Sequence, residues 1–193
     1  MRKISFKSGL VVIFLISLVT LTRASDASLI DTPAPDFSVR SGSGDILTLA
    51  DISGKIAGLF YQPRYREIVE QQKPFEEALD AFFKSLSPAD QGRIFRGAFI
   101  DTHDIPGLFR WLTRMKMRSQ SKKLGITVYG DWTGDFAAAY HTRPDQFNFY
   151  LIDASGKIIH QHHGPVSQND SSRIIEMLRD QLKKGIDTPA VSD

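Results

Sequence analysis

Two apolar runs of strand length, Ile56 to Tyr61 and Ile94 to Asp101, bracket a stretch whose apolar residues follow a helical period. In that stretch, Arg66 to Ser85, residues Ile68, Phe75, Leu79 and Phe82 recur at spacings of 7, 4 and 3. A strand, an amphipathic helix and a second strand in this order close as a crossover unit, with the strands parallel and the helix packed on one face. Pro74 lies inside the helical stretch and predicts a kink there.

Further elements extend the unit in both directions. Phe37 to Val39 and Ile46 to Leu49 read as short strands around the turn Ser41-Gly42-Ser43-Gly44. Ser87 to Gly92 reads as the turn that ends the long helix. Pro106 to Arg118 predicts a second helix, Ile126 to Tyr129 a strand, and Gly134 to Tyr140 a short helix. Phe147 to Ile152 is a strong strand pattern, followed by a turn at Asp153 to Gly156 and a partner strand, Lys157 to His162. The last helix is expected to start at Ser167, which stands at capping-box spacing from Asp170. Its apolar stripe is Ile174, Leu178 and Leu182, and Gly185 is the expected stop. This order predicts an α/β fold with one central mixed β-sheet, helices on both faces and an N-terminal β-hairpin.

The chain has 193 residues and not one cysteine. Arg2, Lys3 and Lys7 followed by the apolar run Leu10 to Leu21 make residues 1–24 a signal-peptide pattern, with small residues at Ala24, Ser25 and Ala27. The apolar run is short against the roughly 20 residues of a membrane-spanning helix, and an uncleaved anchor is the alternative reading. Export places the protein in the periplasm or outside the cell. Residues 25–35 read as an extended leader, 36–185 as the folded domain and 186–193 as a loose tail.

The formal charge of +2 is misleading, because residues 1–24 hold four basic residues and no acid. The remainder carries 20 basic against 22 acidic residues, which does not fit a nucleic-acid-binding surface. Without cysteine there is no disulfide framework, no thiolate nucleophile and no thiolate metal ligand. A domain of roughly 165 residues is large enough to be held by its core alone.

Three segments carry a resemblance: Ala34-Pro35-Asp36-Phe37, then Leu49 to Lys55 ahead of an apolar strand, then the hairpin Tyr150-Leu151-Ile152-Asp153-Ala154-Ser155-Gly156-Lys157-Ile158. In order and spacing they resemble the redoxin branch of the thioredoxin-like superfamily, which holds periplasmic thiol–disulfide oxidoreductases and peroxiredoxins. The resemblance covers roughly residues 33–184 and implies a thioredoxin-like fold. In that family a proline follows the first cysteine of a Cys-x-x-Cys pair by eight residues, within a helix continuing like Pro74 to Leu79 here. The resemblance therefore puts Arg66 and Val69 where the two cysteines would stand, with Tyr65 in the place of the preceding aromatic residue. It puts Phe147 where the family has a cis-proline, with Pro144 three residues earlier. Thiol–disulfide and peroxidase chemistry is excluded by the absent sulfur.

What remains is a set of candidates. Arg64, Tyr65 and Arg66 at the start of the long helix, with Val69 and Phe147, form a candidate ligand or partner site, since a helix N-terminus and two guanidinium groups attract an anion. Ion pairs with Glu67 and Glu70 are the alternative use of the arginines. His160 and His162 alternate onto one strand face and form a candidate metal pair, with His103, Asp101 and Asp104 as remote ligands. Arg110 to Lys123 is acid-free and interleaves Phe109, Trp111, Leu112, Met115 and Met117 with cations. The expected reading is a core-facing apolar stripe with a solvated outside; contact with an anionic surface through Arg110, Arg114 and Arg118 is the other. Asp135 is an expected cap for the short helix. The functional expectation is a non-redox binding or assembly module of the periplasm without a cofactor, holding another envelope protein or a peptide. The alternative is a metal-handling protein or an enzyme built on His and Asp.

Overall fold

A computed structural model describes residues 28–62 and 66–184. The signal-peptide pattern, the residues around Gly185 and the C-terminal tail lie outside the described residues, as does Pro63-Arg64-Tyr65.

The apolar runs become the centre of a sheet: the first is buried on both faces, and the second is buried at Gly97 and Phe99 and half-buried elsewhere. Strand β3 (Ile56–Gln62) pairs parallel with β4 (Ile94–Asp101) and antiparallel with β6 (Asn148–Ile152), and helix α1 (Arg66–Ser85) connects β3 to β4. Pro74 lies inside α1. Beyond β4 come β5 (Val128–Asp131), parallel to it, and then the N-terminal hairpin β1 (Ser38–Ser41) and β2 (Ile46–Thr48); β7 (Ile158–His163) closes the other edge. The order is β2-β1-β5-β4-β3-β6-β7, a mixed seven-stranded sheet.

Period-two alternation divides the side chains between two cores. Ala57, Leu59 and Tyr61 join Phe37, Phe99, Phe136, Tyr140 and Tyr150 on one face, under helix α4 (Asp135–Ala139). Ile56, Phe149 and Leu151 face the other way, against Phe75, Leu79 and Phe82 of α1 and Ile174, Leu178 and Leu182 of α5 (Gln168–Lys184). The expected stripe of α5 and, in α1, Phe75, Leu79 and Phe82 of the expected stripe are therefore the ones that pack; the Ile68 side chain lies outside what is described. Ser167 caps α5 by accepting from the Asp170 N–H at 3.1 Å.

Several boundaries differ from the sequence expectation. Ser87 to Gly92 is not a plain turn: Pro88–Gly92 forms the short helix α2, with Ser87 Oγ accepting from the Asp90 N–H and Pro88 in the first turn, where its missing donor costs nothing. Helix α3 (Arg110–Leu124) begins after a 3-10 turn at Gly107–Phe109 and runs past Arg118 to Gly125, whose φ of 67° closes it. Strand β5 lies two residues further along than expected. Gly42, in the β1–β2 turn, lets the α3 backbone come close: a Cβ there would stand 2.6 Å from the Arg114 carbonyl oxygen.

Candidate functional site

Because β3, β4 and β5 run parallel, their carboxyl ends meet at one edge of the sheet, at Gln62, Asp101 and Asp131. In open α/β sheets this edge is where ligands bind. Helix α1 starts four residues beyond Gln62, so the backbone of Arg66 and Val69 lies in its first turns, beside that edge. Arg64 and Tyr65 lie outside the described residues.

Polar side chains that were scattered in the sequence converge here. Gln62 Nε2 donates to Glu76 Oε1 at 2.6 Å, and burial pushes the Glu76 carboxyl up while this bond partly offsets the rise. At the end of β4, His103 Nδ1 lies 2.6 Å from Asp101 Oδ1 and its Nε2 3.1 Å from Asp104 Oδ1, so one imidazole sits between two carboxylates. Sequence reasoning had these three as remote ligands for His160 and His162. The structure joins them to each other and leaves the histidine pair on β7, three strands away. Gln72, fully buried in α1, accepts from the Val166 N–H while its Nε2 has no partner. No sequence signal marked Gln72, because its polar side chain stands on the helix face that packs.

Asp131 is buried and works as a scaffold. Its carboxylate accepts from the N–H groups of Gly134 and Ala137, each at 3.0 Å, and from Tyr61 Oη at 3.4 Å. It therefore caps α4, the role expected of Asp135, because its two oxygens reach across the Gly134 turn to the first helical donors.

Phe147, one of the candidate site residues, is a core side chain. It is 1% exposed and packs against Phe60 and Phe75, so it supports the edge from beneath. Among the described residues every peptide bond is trans. The loop before β6 is held by Asn148 instead: its Oδ1 accepts from the Arg143 N–H at 2.8 Å, and its Nδ2 donates to the carbonyls of Arg143 and Gln146. His163 Nδ1 lies 2.6 Å from the same Oδ1. An amide oxygen only accepts, so this ring carries its proton on Nδ1.

His160 and His162 do share a face, with rings 6.3 Å apart and 18° from parallel. His162 Nε2 stands 3.1 Å from the Pro165 carbonyl oxygen. Among the described residues no group of three or more His, Cys, Asp or Glu side chains converges as a metal site requires. Burial on the α5 side of the sheet lowers the His160 imidazole from 6.5 to about 4, assisted by the His162 ring and Arg173 and opposed by Asp170. The unfolded chain thus takes up a proton near pH 6.5 and the folded chain only near pH 4. Between those values the unfolded state binds more protons, so stability falls as the pH drops through this window. The expected loss is about 1–2 kcal/mol after allowance for the ring's partial exposure. Urea unfolding at pH 7 and pH 4.5 should show a smaller pH dependence in His160→Leu than in the wild type; equal slopes would remove His160 as its source.

Helix α3 overturns the expected core-facing stripe. Of its apolar residues Met117 alone is buried, while Trp111 is 61% exposed and Leu112, Met115 and Leu124 are exposed too. The inner side is the narrow row Thr113, Met117 and Ser121, because the Gly42 turn brings the helix backbone itself against the hairpin. Arg110 and Arg114 lean over the Trp132 ring, at 5.8 and 5.6 Å, and Arg118 packs on Gly42.

No protein-family model matches the chain, and no curated protein matches it in sequence. Among solved structures it is similar to a candidate protein disulfide isomerase from Bacteroides thetaiotaomicron, with 21% identity and a TM-score of 0.59 over 81% of this chain and 92% of that one. A candidate thiol:disulfide interchange protein DsbE from Chlorobium tepidum matches at 20% identity and TM-score 0.58, over 78% and 95% of the two chains. The exposed lipoprotein thioredoxin Etrx1 of Streptococcus pneumoniae matches at 20% and 0.52, over 76% and 99%. The chain thus has a thioredoxin-like fold of the redoxin type, and it has that fold without a cysteine.

Proposed function

We propose that this chain is an exported, non-redox binding module that holds an envelope protein or peptide at the carboxyl-end edge of its parallel strands. One observation carries the reading. The thioredoxin-like scaffold is present through all seven strands, with α1 starting beside the edge, and the chain has no cysteine; in this reading Arg66 and Val69 stand where the resemblance puts the redox pair. The edge carries polar groups suited to a peptide backbone, in Gln62 and in the His103 ring between its two carboxylates. Export rests on the signal-peptide pattern of residues 1–24.

The test is site-specific photo-crosslinking in cells. A photoreactive residue at Thr133, just past the end of β5, should give a discrete adduct that weakens in an Arg64→Glu, Arg66→Glu background. The same residue at Ser155, in the turn at the opposite end of the sheet, should not. Adducts of equal strength from both positions, or an adduct indifferent to the arginines, would reject the site. The mass of the protein recovered from the envelope reports on export: retention of residues 1–24 contradicts a cleaved leader.

A further inference from the structure

We infer that the outer face of α3 docks this protein on an anionic phospholipid surface. On the wheel of α3, Trp111, Leu112 and Met115 fall on the side opposite Met117, Leu108 precedes them in the 3-10 turn, and all four are exposed. Arg118 borders the strip on one side, Lys116 and Lys123 on the other, and Lys122 follows it in line towards the helix end. An apolar strip with a cationic border is the arrangement of a helix lying in a membrane interface: the ring and aliphatic groups enter the headgroup boundary while the Lys and Arg stems reach back to the phosphates.

Charge selects this occupant over the others. Helix α3 carries six cations and no acid, and among the described residues none of the six pairs with an acid. A two-fold contact with a second copy would bring two such helices together and is repulsive. Outside α3 the chain beyond residue 24 has 14 basic against 22 acidic residues, so the body is repelled by an anionic surface and the helix attracted to it. Such a surface therefore orients the molecule with α3 down. The strip is also convex and contains a tryptophan, which suits a deformable lipid interface better than a rigid protein groove. No helix among the described residues is long and apolar enough to cross a membrane, so the contact is peripheral. It uses none of the residues of the strand-end site and stands apart from that reading.

The experiment is vesicle co-sedimentation of the protein purified from the envelope, with phosphatidylglycerol–phosphatidylcholine vesicles against phosphatidylcholine alone. Binding at least about tenfold stronger to the anionic vesicles is expected, with a blue shift of Trp111 emission as the ring leaves water. Two double variants, Trp111→Ser with Met115→Ser and Lys116→Glu with Lys123→Glu, alter exposed side chains only and should melt like the wild type. Each should weaken binding by about tenfold or more. No sedimentation, or equal binding to neutral vesicles, overturns the inference. So does undiminished binding by the serine variant, which would mean a purely electrostatic face for an acidic protein. Wild-type binding by both variants would place the contact outside α3 and overturn it as well.

Discussion

Phe136→Ala should lower the unfolding free energy by about 3–5 kcal/mol, the range for removing a buried aromatic side chain and leaving its cavity. Phe136 is fully buried at the centre of the aromatic core. It stacks on Tyr140 at 4.1 Å and Tyr61 at 5.4 Å and meets Phe99 edge-on at 4.9 Å, with Phe37 and Tyr150 completing the shell. The shell cannot collapse into the vacancy, because its members are held from outside: Tyr140 Oη donates to the Pro35 carbonyl and Tyr150 Oη to the Tyr140 carbonyl. Burial pushes both phenols well above their usual range, so they remain neutral donors at neutral pH. Guanidinium unfolding should show the midpoint falling with the slope unchanged. A loss under about 1.5 kcal/mol would mean the core relaxes, against this account.

Asn148→Ala should cost about 2–4 kcal/mol, more than its small volume implies. The side chain is fully buried and satisfies the Arg143 N–H, the Arg143 and Gln146 carbonyls and the His163 ring. Truncation deletes every one of those bonds and leaves partly buried backbone groups without their partner, which costs more than a bond gained is worth. Hydrogen exchange separates this from a general loss of stability. The Arg143 amide should exchange faster than the change in global unfolding allows, while amides in the centre of β3 should track the global value. Equal acceleration at both places would show that Asn148 does not tether the loop. Because the loop sits under the strand-end edge, its release should also weaken the Thr133 adduct.

Much of this fold was legible beforehand for a simple reason. Strand and helix periods are local, and residues such as Leu59, Phe99, Phe75 and Leu79 recur with the period of the element they build. Pro74 lies inside α1, and counting back from it is how the resemblance puts Arg66 and Val69 where the family has its cysteines. The site was less legible. Phe147 sits where the resemblance predicts an active-site residue, yet it is core. His103 finds both carboxylates only when the chain turns back after β4.

The amino-acid sequence by itself determined the order of the seven strands and of helices α1, α3, α4 and α5, together with the exclusion of thiol chemistry, because period and composition are properties of the chain alone. Only the tertiary structure decided which way α3 faces. Periodicity shows that Trp111, Leu112 and Met115 share a side, but a helix with one apolar strip packs equally well in pattern with that strip in or out. The close approach of Gly42 to the Arg114 carbonyl put Met117 inside and left the strip, with its cationic border, facing outward.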